Sequence, residues 1–408
     1  MREVQNRKEV EMASTQQLEK LKKQIQDDVD ARRPELIALS LKIHANPELA
    51  WEEVKASGWL TEYLEKNSFR VERGICDLPT AFMARYGQGK PVIAIMAEYD
   101  ALPDIGHGCG HNIIGTSAVG AAVAAKFAVE QSGGTILAIG TPAEEQLGGK
   151  VIMAKKGAFS GIDTAMMVHP RGQDNPVGAR MLAAVTLEVE FWGKTSHAAA
   201  APWDSISALE ALILAINNIN ALRFHMRDIS RVAGVITDGG KVPNVVPAHS
   251  AGSFMIRATD DKSLDELCER VLDCFKAAAL STGASLDYRW GLKCSTMLNN
   301  LALAQLWTNN MQTLGRRVDE IIDIHASTDM GNVSHLVPSI HPWIAISSEP
   351  LGVHTPEFAA AASGDAANEA LIDGVKALAM TAADILTQPD ILLRIKEEFQ
   401  RTSNRQEG

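Results

Sequence analysis

Apolar positions along the chain follow two rhythms, and the change between them divides it. From residue 16 to 44 they recur at helical spacing among polar residues. This predicts one long polar-faced helix, or two with Pro34 opening the second. The charged first dozen residues read as a frayed terminus. Residues 51–67 repeat at helical spacing again, and 69–75 and 81–86 read as short strands. Three unbroken apolar runs follow, at 91–97, 135–140 and 164–168. Such runs predict strands buried on both faces, as in a parallel sheet. Between the first two runs, 112–129 is a helix of small residues.

The rhythm changes after Arg180. Residues 185–192 alternate, V-T-L-E-V-E-F-W, the mark of a half-exposed antiparallel strand. A helix over 205–222 follows, with Asp204 placed to cap it. Strands over 232–237 and 249–258, a helix over 263–280 and a strand over 285–290 complete the segment. From 299 onward helices and buried strands return, with a strand over 342–347 and an Ala-rich helix over 363–386. The expected fold is α/β, a mostly parallel mixed sheet with helices on both faces, formed by residues 1–182 and 295–408. A smaller α+β domain of βαββαβ order, residues 183–294, interrupts it. At 408 residues the chain is too long for one ordinary core, so two domains are also what length predicts.

Composition narrows the functional classes. The net charge of -11 and pI near 5.5 argue against a nucleic-acid partner, which needs a basic face. The most apolar long stretch, 113–129, is Ala/Gly-rich and interrupted by Lys126, so no membrane association is expected. The N-terminal residues are charged throughout and lack the apolar core of a signal peptide. Five cysteines, 76, 109, 268, 274 and 294, form no C-x-x-C pair, which suits a reducing compartment and makes cytoplasm the expected location. Cys268 and Cys274 read as core residues of a helix.

The candidate chemistry sits where the buried strands end. The first runs into E-Y-D-A-L-P-D-I-G-H-G-C-G-H, which holds Asp100, Asp104, His107, Cys109 and His111 among glycines. A thiolate and an imidazole two residues apart can chelate one ion, although glycine loops also carry such pairs without metal. The second strand ends in T-P-A-E-E, with Glu144 and Glu145 adjacent. Two neighbouring carboxylates at a buried strand end are costly to ionise without a cation; the bland alternative is a solvated helix N-terminus. The third ends at His169, and His354 lies in G-V-H-T-P. Ligands at several strand ends are the arrangement expected of a site along one edge of a parallel sheet, and a metal centre is the expectation.

Six segments carry a family resemblance: E-Y-D-A-L-P-D-I-G-H-G-C-G-H-N, T-P-A-E-E, G-K-T-S-H-A-A-A-A-P-W, N-V-V-P, S-T-D-M-G-N-V-S and V-H-T-P-E-F. Together they resemble the M-twenty metallopeptidase and aminoacylase family, subfamily D of amidohydrolases, in the branch that includes aminobenzoyl-glutamate hydrolases. The resemblance implies Cys109, His111, Glu145, His169 and His354 as ligands to two divalent ions, zinc or manganese. It implies Glu144 as general base, Asp100 as an acid that orients a ligand, and His197 as a donor to the oxyanion. Asn244 and Arg257 match positions that grip a substrate carboxylate. Without the resemblance His197 reads as a capping or core histidine, and Arg257 as half of a surface salt bridge. Glu98 stands where many relatives outside the subfamily have a metal-binding histidine; pairing with a base is its other reading. Asp329 and Asn332 have no assigned role, and His325, His335 and His341 read as structural.

The resemblance implies a di-metal amidohydrolase acting on an N-acyl amino acid or small dipeptide-like substrate, dimeric through the inserted domain. Two rival readings stand beside it. One is a thiol hydrolase with Cys109 as nucleophile and His111 or His107 as base; the other is a catalytically silent metal-binding relative.

Overall fold

The computed structural model describes residues 2–146 and 148–406, with side chains described for 15–146 and 148–403. Its first element, α1 (Arg2–His44), runs through Pro34 as one helix. An interior proline costs about 3 kcal/mol. Here Leu21, Ile25 and Val29 before it and Leu36 and Ile43 after it are buried in one core, so packing on both sides holds the helix together. Then come α2 (Val54–Lys66), β1 (Arg70–Arg73), β2 (Phe82–Gln88), β3 (Val92–Ala97), α3 (His111–Ala124), α4 (Lys126–Ser132), β4 (Gly134–Gly140), α5 (Gly149–Lys155), β5 (Thr164–Met166), β6 (His169–Arg171) and β7 (Ala179–Arg180). The helix expected over 112–129 is therefore two, α3 and α4, separated at Ala125. Residues 111–132 include an 18-residue stretch apolar enough to cross a membrane, contrary to the reading from Lys126, but 89% of that stretch is buried within the protein.

Next come β8 (Ala183–Trp192), α6 (Ala208–Arg223), β9 (Arg231–Asp238), β10 (His249–Ala258), α7 (Asp261–Thr282) and β11 (Ser285–Trp290). Their strands form an antiparallel sheet of order β11-β8-β10-β9. Along β8 and β10 alternate residues are buried, and Leu187, Phe191, Phe254 and Ile256 share a core with Leu212 and Ile219 of α6 and Val271 and Phe275 of α7. Cap choice follows local chemistry rather than the expected Asp204: the Ser207 hydroxyl accepts from Glu210 N–H to start α6. Cys268 and Cys274 are partly buried against this core.

The chain closes with α8 (Leu301–Thr313), β12 (Ile322–Asp323), α9 (Met330–Ser334), β13 (Ser339–Ile340), β14 (Trp343–Ala345), α10 (Pro356–Ala361), α11 (Asp365–Thr387) and α12 (Pro389–Gln406). The strand expected over 342–347 shrinks to β14, which pairs with β6. The central sheet has the order β1-β2-β4-β3-β5-β13; β4, β3, β5 and β13 are parallel, and β1 and β2 add an antiparallel edge. Two compact units result: Met1–Arg180 with Leu298–Asp323 and Asn332–Gly408, and Met181–Met297 with Ile324–Gly331. The short return segment belongs to the second unit because Leu182 N–H donates to Ala326 O (2.8 Å) and Cys294 Sγ–H to Thr328 O (2.7 Å).

Within the first unit, α3 is buried on every side. It lies against β3, α1 and α11, so its small residues set how near its first residue, His111, comes to the strand end. A Cβ at Gly115 would stand 2.8 Å from the Glu98 carbonyl oxygen, which is backbone and cannot rotate away. Gly115→Ala should therefore push α3 off the end of β3, costing about 1–3 kcal/mol by overpacking, measurable as a lower urea midpoint for the first unit.

Candidate metal centre

β3 and β4 run parallel and end side by side, and each delivers two acids at its end. Glu98 and Asp100 follow β3; Glu144 and Glu145 follow β4 in a single 3₁₀ turn. Cys109 and His111 arrive from the loop between β3 and α3. Gly110 ends that loop at φ 75°, and a Cβ there would sit 2.4 Å from Pro170 Cγ. Glycine thus supplies both a left-handed turn and the close approach that brings the thiol to His169. His354 joins through its backbone, whose N–H donates to Gly108 O (2.8 Å).

Seven of the expected residues converge. Cys109 Sγ lies 3.4 Å from His169 Nε2, and His354 Nε2 lies 3.3 Å from Glu145 Oε2. His111 Nε2 faces Glu98 Oε2 at 3.7 Å, Glu145 Oε1 at 3.8 Å and Glu144 Oε2 at 3.9 Å. Ligand atoms of one tetrahedral ion stand roughly 3.4 Å apart at bond lengths of about 2.1 Å. Three overlapping groups in the first unit bring their ligand atoms within 4.8 Å of one another, near that spacing: Cys109–His111–His169, Cys109–Glu145–His354 and His111–Glu144–Glu145. Asp104, exposed, is outside them.

The tautomers are fixed from behind. His169 Nδ1–H donates to Pro170 O (2.7 Å), turning the Nε2 lone pair toward Cys109. Burial lowers this imidazole to about 3, so it is neutral. His111 Nδ1–H donates to Asp100 Oδ1 (2.9 Å), while Asp100 Oδ2 accepts Glu145 N–H (3.0 Å). One carboxylate thus aims a ring and holds the neighbouring strand's loop. Burial opposes charge on His111, but Asp100 outweighs it and raises the group well above the usual imidazole range. Burial raises Glu145.

The donor set fits divalent ions. His111 Nε2, Glu145 Oε1 and Glu98 Oε2 are buried with no hydrogen-bond partner among the described residues, and an orphaned buried polar atom costs about 1–3 kcal/mol. Divalent ions bound there would satisfy them. Glu98 divides its carboxylate: Oε1 accepts from Lys150 Nζ (2.6 Å), both residues wholly buried. Burial works to raise it, but Lys150 and His111 hold it down at about 2. Its pairing with a base is thus observed.

The remaining expected residues belong to the second unit. His197 is exposed, and its Nδ1 accepts N–H groups from Ala199 (3.2 Å) and Ala200 (3.1 Å); it is neither a core histidine nor the cap of a helix. Asn244 O accepts Ala198 N–H (3.0 Å). Arg257 makes no salt bridge among the described residues; one Nη donates to His325 O (3.3 Å) and Nε is buried without a partner. Asp329 is buried in this unit and Asn332 opens the next stretch of the first.

Sequence reasoning missed three residues of the first unit. His341, read as structural, is fully buried against His169 (ring centroids 5.3 Å), and neither nitrogen has a hydrogen-bond partner among the described residues. Lys150 was readable as a lone base in an apolar helix, G-G-K-V-I-M, which predicts a buried acid nearby. Glu53, one of three acids within six residues, carries no sequence signal that separates it from the other two.

Similarity to known proteins gives the family. Residues 177–282 match a family model described as a peptidase dimerisation domain. A mouse (Mus musculus) protein named Xaa-Arg dipeptidase is 37% identical over 95% of this chain and 94% of its own length. The chain belongs to the M-twenty metallopeptidase family. It is a metal-dependent amidohydrolase. A component of the p-aminobenzoyl-glutamate hydrolase of Escherichia coli is 36% identical over 68% of this chain and 62% of its own. A Bacillus subtilis crystal structure, described as a dinuclear metal binding peptidase of this family, shares the fold at a TM-score of 0.67 and 21% identity, over 88% of this chain and 99% of that one.

Asp100→Asn should loosen both His111 and the Glu145 loop. Metal affinity is expected to fall roughly 10–100-fold, measured by competition against a chromophoric chelator.

Proposed function

We propose that this M-twenty family member hydrolyses the amide bond of dipeptides or N-acyl amino acids at two divalent ions held by Cys109, His111, Glu145, His169 and His354. The observation that carries this reading is the convergence of those five side chains on three overlapping ligand-spaced groups. Bound there, such ions polarise a carbonyl, acidify water and neutralise developing negative charge. Thiolate favours zinc and the carboxylates tolerate manganese, so we propose one of these two.

Glu144 acts as general base in this reading. It stands beside His111 and is nearly buried, where it takes a proton from the attacking water and returns it to the leaving nitrogen. Water adds to the carbonyl carbon, the C–N bond breaks, and a carboxylate and an amine leave. Asp100 keeps His111 in the tautomer that offers Nε2. His197 is the oxyanion donor: because Nδ1 accepts two backbone N–H groups, the ring proton is on Nε2. Arg257, with Nε unpaired, and Asn244 read the free carboxylate of the substrate. The similarity to Xaa-Arg dipeptidase over nearly the full length favours dipeptides ending in a basic residue; the likeness to the aminobenzoyl-glutamate hydrolase component puts N-acyl glutamates next.

The thiol reading has the surroundings of Cys109 against it. Without a cation, burial and Glu145 push the Cys109 thiol far above its ordinary range, and attack needs a thiolate; a bound ion would supply the charge that lets the sulfur ionise as a ligand. Five free cysteines support a reducing, cytoplasmic location. A homodimer through the second unit is supported by β9, an edge strand whose Val235 and Ile236 are exposed.

Three outcomes test this. Metal-loaded protein should cleave Xaa-Arg dipeptides or N-acyl glutamates and lose activity to a chelator, with restoration by zinc or manganese; turnover that survives metal removal and dies on alkylation would return the thiol mechanism. Glu144→Gln should lower kcat by at least about 10³-fold with two ions still bound. Val235→Lys should shift the protein to monomer in analytical ultracentrifugation if β9 is the seam.

A further inference from the structure

The loop that carries Glu144 is gripped by a residue from a distant part of the chain. Thr141 N–H donates to Ala97 O (2.8 Å) and Glu145 N–H to Asp100 (3.0 Å), which fixes both ends of the loop to β3. Between them Ala143 adopts φ 58°, a left-handed conformation that costs energy for any residue with a Cβ. It needs something to hold it. Ala143 N–H donates to Glu53 Oε1 (2.9 Å).

Glu53 is committed entirely to the interior. Its side chain is wholly buried, Oε1 also accepts Trp51 N–H (2.9 Å), and Oε2 accepts the Thr80 hydroxyl (2.8 Å). Three donors aimed at one buried carboxyl call for an acceptor on both oxygens. Burial of an acid is unfavourable, and here the result is a clamp on the residue preceding Glu144. The same turn grips the loop again further on: Trp51 Nε1–H donates to Gln146 Oε1 (2.8 Å), and a Cβ at Gly148 would stand 2.4 Å from the Trp51 ring.

We infer that Glu53 is a positioning residue that holds the Glu144 loop in its strained, working conformation through Ala143 N–H. The inference rests on the reading of Glu144 as general base. Glu53 itself touches neither substrate nor ion in this scheme; it sets the point from which Glu144 reaches water.

The experiment is a comparison of three variants in the metal-loaded full chain. Glu53→Gln keeps an oxygen for Ala143 and Trp51, and its amide can donate to Thr80 once that hydroxyl turns; kcat should stay within threefold of wild type. Glu53→Met fills the volume without an acceptor, and kcat should fall 10–100-fold while KM and bound-metal content change less than threefold. Glu53→Asp keeps the charge but draws the oxygens back by one methylene, and it should lose kcat like Glu53→Met; it serves if Glu53→Met does not fold. Wild-type kcat in Met or Asp variants overturns the inference, as does an equal loss in all three that tracks the folded fraction. Full activity in Glu144→Gln would instead remove the base assignment, and with it this role, whatever Glu53 does.

Discussion

Burying several carboxylates together is the constraint on which this molecule turns. Four acids reach the ends of two adjacent parallel strands, where water cannot stabilise their charge. Each is compensated differently. Asp100 is engaged by His111 and the Glu145 backbone. Glu98 gives one oxygen to Lys150. Glu145 has one oxygen beside His354 and the other unpaired, and with Glu144 it faces His111 Nε2. The unpaired remainder is a negative pocket lined by soft and imidazole donors, which is the environment a divalent cation stabilises.

The fold is what makes that clustering possible. A parallel sheet puts the ends of β3 and β4 side by side, with the loop before α3 crossing above them. The small residues of α3 let it pack against β3, so that Gly115 rather than a bulky side chain meets the Glu98 carbonyl. Positions that look like mere connectors take on tight steric duties: Gly110 against Pro170, and Gly149, whose Cβ would stand 1.8 Å from Pro142 O. Backbone strain gathers in the same place, at Ala143 and His354, both at positive φ. Such strain persists only where surrounding bonds over-determine it, and both residues have backbone N–H groups held by a distant segment.

The second unit is built on other rules. Its strands alternate because one face packs on α6 and α7 while the other is open. Its polar groups are held differently: His197 is exposed with its tautomer set by two backbone amides, and Arg257 keeps a buried Nε with no partner among the described residues.

Periodicity in the sequence was enough to separate buried parallel strands from half-exposed antiparallel ones, because burial on two faces or one leaves different patterns. Strand ends and glycine loops marked Cys109, His111, Glu144, Glu145, His169 and His354 as candidate ligands, because unusual residue types stand out there. Only tertiary structure decided the rest. Pro34 stays inside one helix because buried residues flank it on both sides, and the helix over 112–129 breaks at Ala125, neither of which spacing reveals. Glu53 and His341 were invisible as site residues, and Lys150 was legible only as a base in want of some acid, because their importance lies in partners far away along the chain: Ala143, His169 and Glu98. Local patterns record which face of an element is buried; they do not record which distant atom a buried charge will meet, and that pairing is settled when the segments pack.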